Sequence, residues 1–218
     1  MKVMVTGATG MVGEAVLMEC LEDPRVSAVL SVSRRSCGRR HPKLTEYLVP
    51  DFLALAQGDP QLAGYDACFF CAGISSIGKP EPEYTRITYD TTLHFAQVLL
   101  PQNPLMTFIY VSGRGTDSTE QGRLMWARVK GRTENDLARM AFRKVYLFRP
   151  ALMKATEGQK NLPALYRNLS WLFPLFRLLF PGSTSTLKQV ARAMINSVAD
   201  GSALQVLEVK DINRLGNT

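Results

Sequence analysis

Short apolar runs punctuate the chain at residues 2–6, 28–33, 44–49, 67–71, 106–112, 144–148 and 203–209, each drawing on Val, Ile, Leu, Phe or Tyr. Runs this short, with little polar alternation, predict strands buried on both faces. Between most of them the apolar positions change to helical spacing, over 11–22, 83–100, 125–142 and 186–199. The last is the clearest: Leu187, Val190, Ala191, Met194, Ile195 and Val198 fall on one stripe, and Thr186 with Gln189 forms a capping box. Strand and helix thus alternate over most of the chain. That pattern predicts the α/β class with a doubly wound parallel sheet, as one domain over 1–218.

Composition narrows the setting. With 218 residues, 46% of them hydrophobic, the chain has enough apolar material for a full core. No apolar run reaches the roughly 18 residues a bilayer requires, and the start, Met1-Lys2-Val3-Met4-Val5-Thr6-Gly7, leads directly into a strand and a glycine turn, so no signal peptide is expected. Four cysteines are too few for a disulfide framework, and the expected location is cytoplasmic. Cys68 and Cys71 match Cys-x-x-Cys, but three residues apart in a strand they point to opposite faces. His41 and His94 are the only histidines, and no metal site is expected.

The formal net charge of +7 favours an anionic partner, and Arg34, Arg35, Arg39, Arg40 and Lys43 crowd one stretch without an aromatic among them. Nucleic-acid surfaces spread their basic residues among stacking aromatics, so no nucleic acid is expected. A phosphate-bearing small molecule fits better. The run Thr6-Gly7-Ala8-Thr9-Gly10-Met11-Val12-Gly13 follows the first strand and opens the first helix, which is the context of a dinucleotide turn. Gly7 permits the tight turn, Gly10 the approach of a pyrophosphate, and Gly13 close packing of helix on strand, while the N–H groups around Met11 and Val12 face the anion. The second strand ends at Ser33-Arg34-Arg35, about where an NAD-selective site carries an acid. Two guanidinium groups suit a 2'-phosphate, so NADP (NADPH) is favoured over NAD.

With Val49-Pro50-Asp51-Phe52, Cys71-Ala72-Gly73, Tyr110-Val111-Ser112 and Phe148-Arg149-Pro150 following in order, the chain resembles the atypical short-chain dehydrogenases/reductases, in particular the Tat-interacting-protein branch. The resemblance runs over nearly the whole chain and implies a Rossmann-like fold that binds NADP(H). It puts Asp51 beside the adenine amino group, Phe52 at the adenine edge and Cys71-Ala72-Gly73 against the adenine ribose. Val111, Lys130 and the stretch Arg149-Pro150-Ala151-Leu152 fall at the nicotinamide end. Asp51 equally suits a helix N-cap ahead of Phe52.

Enzymes of this class use a serine at the end of the fifth strand and a tyrosine four residues before a lysine. Ser112 and Lys130 occupy two of these places, but Trp126 stands where the tyrosine belongs, in Trp126-Ala127-Arg128-Val129-Lys130. An indole N–H donates a hydrogen bond and has no accessible pKa, so Trp126 cannot protonate a substrate oxygen. Either another group or water supplies the proton, or the hydride goes to a quinone or flavin, or the chemistry is lost and a cofactor-binding sensor remains. The substrate or electron acceptor is not specified by the residues. Residues 162–180, where Trp171, Phe173, Phe176 and Phe180 mix with Arg167 and Arg177, suit a cover for the substrate pocket, a membrane-surface contact or an oligomer face. The pocket cover is favoured, as a small cap over 162–185.

Overall fold

The computed structural model describes residues 1–162, 173 and 181–218. Six strands come first: β1 (Lys2–Thr6), β2 (Ala28–Ser33), β3 (Leu44–Leu48), β4 (Ala67–Phe70), β5 (Thr107–Val111) and β6 (Lys144–Arg149). The short strands β7 (Leu152–Lys154) and β8 (Thr184–Thr186) follow, then β9 (Val206–Glu208). β7 and β8 form a separate parallel pair, and the other seven build one sheet in the order β3-β2-β1-β4-β5-β6-β9, every neighbouring pair parallel. This is the Rossmann-like arrangement that the strand-helix alternation predicts. The order reverses between β1 and β4, and open parallel sheets bind ligands in the crevice beyond the strand ends at such a reversal.

Successive residues of each strand feed two different cores, because strand side chains alternate between faces. Val3, Val5, Phe69 and Phe148 point to a core shared with Val16 and Leu17 of α1 (Met11–Glu22), Val190 and Met194 of α5 (Leu187–Ala199), and Ile212 of α6 (Val209–Gly216). Met4, Phe70 and Phe108 point the other way, toward Phe95 and Leu99 of α3 (Thr91–Leu99) and Leu137 of α4 (Met125–Ala138). Cys68 lies in the second core and Cys71 packs on the first, and all four cysteines are free.

Some boundaries move for visible reasons. The helix expected over 83–100 begins earlier, as α2 (Glu81–Thr85) with Pro82 in its first turn, and passes through a π-helical turn, Arg86–Asp90, into α3. That wider turn carries Tyr89 to α4, where its hydroxyl donates to Asp136 Oδ2 at 2.6 Å and Arg132 lies 4.2 Å over its ring. α4 stops at Ala138, and Phe142, expected to be helical, stacks on Phe108 at 5.1 Å on the way into β6. The last run keeps only Val206–Glu208 as strand, and at its far end Glu208 and Asp211 form a capping box that starts α6 at Val209.

The Thr186–Gln189 capping box of α5 is present, with Thr186 Oγ1 accepting from Gln189 N at 3.0 Å and Gln189 Oε1 from Thr186 N at 2.8 Å. Thr186→Ala is expected to cost about 1 kcal/mol and lower the melting temperature by about 3 °C, read by thermal denaturation. No helix among the described residues is long and apolar enough to cross a membrane. Apart from Leu162, Phe173 and 181–185, the 162–185 cap lies outside the described residues, so the cover, membrane and oligomer readings of 162–180 do too.

Candidate functional site

A parallel sheet sends the ends of all its strands to one edge, and that edge gathers the residues singled out above. The glycine turn follows β1, Ser33-Arg34-Arg35 ends β2, Asp51 comes shortly after β3, Cys71 follows β4, Ser112 follows β5 and Arg149 ends β6. Two corners form along it, separated by about 10 Å at two strand spacings.

The first corner joins β1 to β4. Thr6, fully buried, accepts hydrogen bonds at Oγ1 from the Cys71 and Ala72 N–H groups, both at 3.1 Å. Gly7 has φ +70, and a Cβ there would stand 2.8 Å from Ala72 N and from Cys71 C and O, so neither the conformation nor the space admits a side chain. Gly10 N donates back to Gly7 O at 2.8 Å and closes the turn. Gly10 is exposed, Thr9, Met11 and Val12 are half-buried, and Gly10 as N-cap offers no side chain to the first-turn N–H groups of α1. Such an uncapped turn is a site for an anion.

Glu14 lies in that same first turn, buried to 1% exposure, and sequence reasoning missed it. Its carboxylate accepts from Arg39 Nη2 at 2.7 Å and from the N–H groups of Lys160 and Asn161 at 2.7–3.0 Å. Burial pushes the Glu14 carboxyl upward, but these donors outweigh it and hold the group below its usual value. Arg39 also donates to Gly158 O at 3.0 Å. The basic stretch is thereby divided: Arg39 is spent on α1 and the 158–161 loop, while Arg34 and Arg35 remain exposed. The buried hydroxyl of Ser33 donates to Arg35 O at 2.7 Å and shapes the turn.

Among the residues expected on the adenine side, Asp51 caps a short 3-10 turn, accepting from Leu53 N at 2.9 Å, and its side chain is exposed. Phe52 takes a core place, its ring edge-on to Phe95 at 5.3 Å. Ala72 is half-buried and Gly73 exposed along the β4 end.

The second corner joins β5, β6 and α4. Lys130 Nζ donates to the Ser112 carbonyl, so the structure brings these two residues together through the backbone of Ser112. The Ser112 hydroxyl turns inward, onto Glu134 Oε1 and 3.1 Å from Phe148 O. Burial pushes the Lys130 ammonium down to about 8, with Glu134 pulling the other way. Half-buried Trp126 lies over the loop after β5, where a Cβ on Gly115 would sit 3.5 Å from its Cη2.

Arg149 is committed to protein partners: Nε to Glu134 at 3.1 and 3.2 Å, Nη2 to Glu134 and to Ser118 Oγ at 2.6 Å, and Nη1 to Glu208 at 3.3 Å. Val111 is half-buried, Pro150 buried, and Ala151 and Leu152 half-buried as the chain turns into β7. Glu134 and Glu208 were not legible as members of this corner. The one signal for Glu134 is an acid seven residues after Ala127 on the buried side of α4.

A glycine corner at the reversal of a parallel sheet, with a lysine-bearing helix beside the fifth strand, is a Rossmann-like arrangement. No family model matches the chain. Among curated proteins, "Protein HTATIP2" of Rattus norvegicus is 27% identical over 224 residues, covering 98% of this chain and 88% of that protein. "Protein FMP52, mitochondrial" of Chaetomium globosum is 26% identical over 236 residues, covering 99% and 97%. Among solved structures, the Bordetella bronchiseptica enzyme WbmF in complex with NAD+ superposes with a TM-score of 0.65 at 19% identity, covering 99% of this chain and 77% of that one. A putative 2-deoxy-d-gluconate 3-dehydrogenase from Agrobacterium tumefaciens with bound NADP gives 0.65 at 15% identity, covering 94% and 92%. The chain is thus similar over nearly its whole length to proteins of the HTATIP2 and FMP52 kind.

The relatives also correct one expectation. Several FMP52 proteins are named mitochondrial, which overturns the cytoplasmic assignment. A low cysteine count argues against oxidising compartments but does not choose among reducing ones.

Proposed function

We propose that the chain is an NADP(H)-binding redox protein that works without the tyrosine of its class. The observation that carries this reading is the glycine corner, where the turn is too tight for side chains at Gly7 and Gly13 and the first turn of α1 has no side-chain cap. There Gly7, Thr9, Gly10, Met11, Val12 and Gly13 hold the pyrophosphate. Arg34 and Arg35 take the 2'-phosphate through charge-assisted bonds, on a turn that the Ser33 hydroxyl shapes, while the nearby Glu46 carboxylate is occupied by Ser36 Oγ and Cys37 N, both at 2.7 Å. Asp51 and Phe52 border the adenine, Cys71-Ala72-Gly73 the adenine ribose, and Val111, Lys130 and 149–152 the nicotinamide end. NADPH, when bound, supplies a hydride equivalent.

At the reactive end the donors are few. The Ser112 hydroxyl is spent inward, and the Trp126 indole can hold an oxygen without protonating it. Lys130 is left as the side chain able to give a proton, and an ammonium that titrates near 8 is mostly charged at neutral pH yet releases its proton readily.

The test mixes purified protein with NADPH and panels of aldehydes, ketones, quinones and flavins. Saturable NADPH oxidation above the buffer control supports the reading. Because the ammonium is the acid form, the rate is expected to fall as pH rises through about 8, and to lose that dependence in Lys130→Met. Trp126→Tyr is expected to raise carbonyl-dependent oxidation at least about tenfold. A second reading, a cofactor-binding sensor without turnover, is favoured by the inward Ser112 hydroxyl together with Trp126. Tight NADPH binding with no oxidation in any panel, Trp126→Tyr included, establishes it in place of the first.

A further inference from the structure

Ser112 is gripped at every polar position. Its N–H donates to Phe148 O at 2.9 Å, its carbonyl receives Lys130 Nζ, and its hydroxyl meets Glu134. The last contact decides its chemistry. A hydroxyl has one proton, and here both atoms near enough to accept it, Glu134 Oε1 and Phe148 O, lie on the interior side. Toward a ligand Ser112 can offer only lone pairs.

Glu134 is the hub of this arrangement. It sits one helical turn after Lys130 on α4 at 1% exposure, which an isolated carboxylate does not tolerate. Arg149 of β6 neutralises it through both Nε and Nη2, and Arg149 in turn reaches Glu208 of β9. Burial pushes the phenol of Tyr110 on β5 upward, and Tyr84 of α2 and the Glu134 carboxylate add to that push.

We propose that Glu134 is a positioning residue of the reactive end: it withdraws the Ser112 hydroxyl from any ligand, anchors the β5–β6 edge through Arg149, and leaves Lys130 as the proton-bearing side chain presented there. This inference rests on the reading that Lys130 faces a cofactor, although its decisive measurement does not need one bound. The balance of charge follows from the geometry. Glu134 and Glu208 bring two negative charges to the cluster against Arg149 and Lys130, so removing the Glu134 carboxylate leaves Lys130 beside an under-compensated guanidinium.

The experiment follows the Lys130 Cε resonance through a pH titration of the ligand-free full chain carrying 13C-labelled lysine. Glu134→Gln is expected to move the Lys130 midpoint down by about one pH unit, since the nearest negative charge is gone. Glu134→Asp, which restores a carboxylate, is expected to recover most of that shift. A Lys130 midpoint unchanged in Glu134→Gln, even alongside a lower melting temperature, means a merely structural residue and overturns the proposal.

Should Glu134→Gln fail to fold, the parent protein decides. Its Ser112 hydroxyl proton, at 5% residue exposure and bonded to a carboxylate, is expected to exchange slowly and to persist when NADPH is added to saturation. Disappearance of that resonance on NADPH addition shows that the hydroxyl meets the ligand and overturns the proposal. Failure of NADPH to bind the parent protein at all sinks the functional reading instead, and the ligand-free titration still judges Glu134.

Discussion

Gly13→Ala is expected to cost the protein its stability, whereas Gly10→Ala, three residues earlier, costs it only its cofactor. A Cβ on Gly13 would stand 2.2 Å from Gly7 O, 2.4 Å from Gly7 C and 2.9 Å from Thr6 O. All three are backbone atoms at the end of β1, so relief requires α1 to move off the sheet. Overpacking of this kind costs about 3 kcal/mol or more, and a chain of this size loses roughly 10 °C in melting temperature for it. Gly10 differs in every respect. Its backbone, at φ −110 and ψ 167, suits any residue, and a Cβ there meets nothing nearer than Gly7 O at 3.4 Å. Its methyl group would instead project where a pyrophosphate approaches the first turn of α1. Gly10→Ala is therefore expected to melt within about 2 °C of the parent and to bind NADPH on the order of 100-fold more weakly, equivalent to nearly 3 kcal/mol. Thermal denaturation and fluorescence titration separate the two effects. Parent-like affinity in Gly10→Ala would remove the pyrophosphate from this corner, and parent-like melting in Gly13→Ala would refute the packing.

The framework around that corner was legible because its signals are local. Most strands of the sheet are short apolar runs, several of them set off from the next by a helix, and the glycine spacing occurs within one turn. β7 and β8 escaped notice because strands of three residues are too short to show a period. The charged interior was illegible for a different reason. Glu14 and Glu134 are acids in helices, which reads as solvent exposure, and only partners brought by the fold reverse that reading. For Glu14 they come from Lys160 and Asn161, 146 and 147 residues away. For Glu134 they come from Ser112, just after β5, and Arg149, at the end of β6. Ser112 shows the limit most sharply: its position at the end of β5 could be read from the sequence, but the direction of its hydroxyl is set by a residue on another element. Compartment fared worst, since composition constrains redox conditions more than address.

Replacing Arg34 and Arg35 together with alanine is expected to lower NADPH affinity about 100-fold while leaving NADH within about threefold. The basic stretch offers several candidates for a 2'-phosphate, and the fold removes one of them: Arg39 is held by Glu14, Gly158 O and Met18 Sδ. Arg34 and Arg35 follow directly on β2 and are exposed. A charge-assisted hydrogen bond contributes about 1.5 kcal/mol or more, so losing one from each guanidinium amounts to roughly 3 kcal/mol, or about two decades in affinity. NADH lacks the phosphate and loses nothing comparable. Arg39→Ala supplies the contrast. It deprives a carboxylate at 1% exposure of its guanidinium, so the melting temperature should drop while the ratio of NADPH to NADH affinity stays at the parent value. Equal affinities of the parent for the two cofactors would end the argument for NADP, and an undiminished preference in the double variant would move the phosphate to another part of the edge.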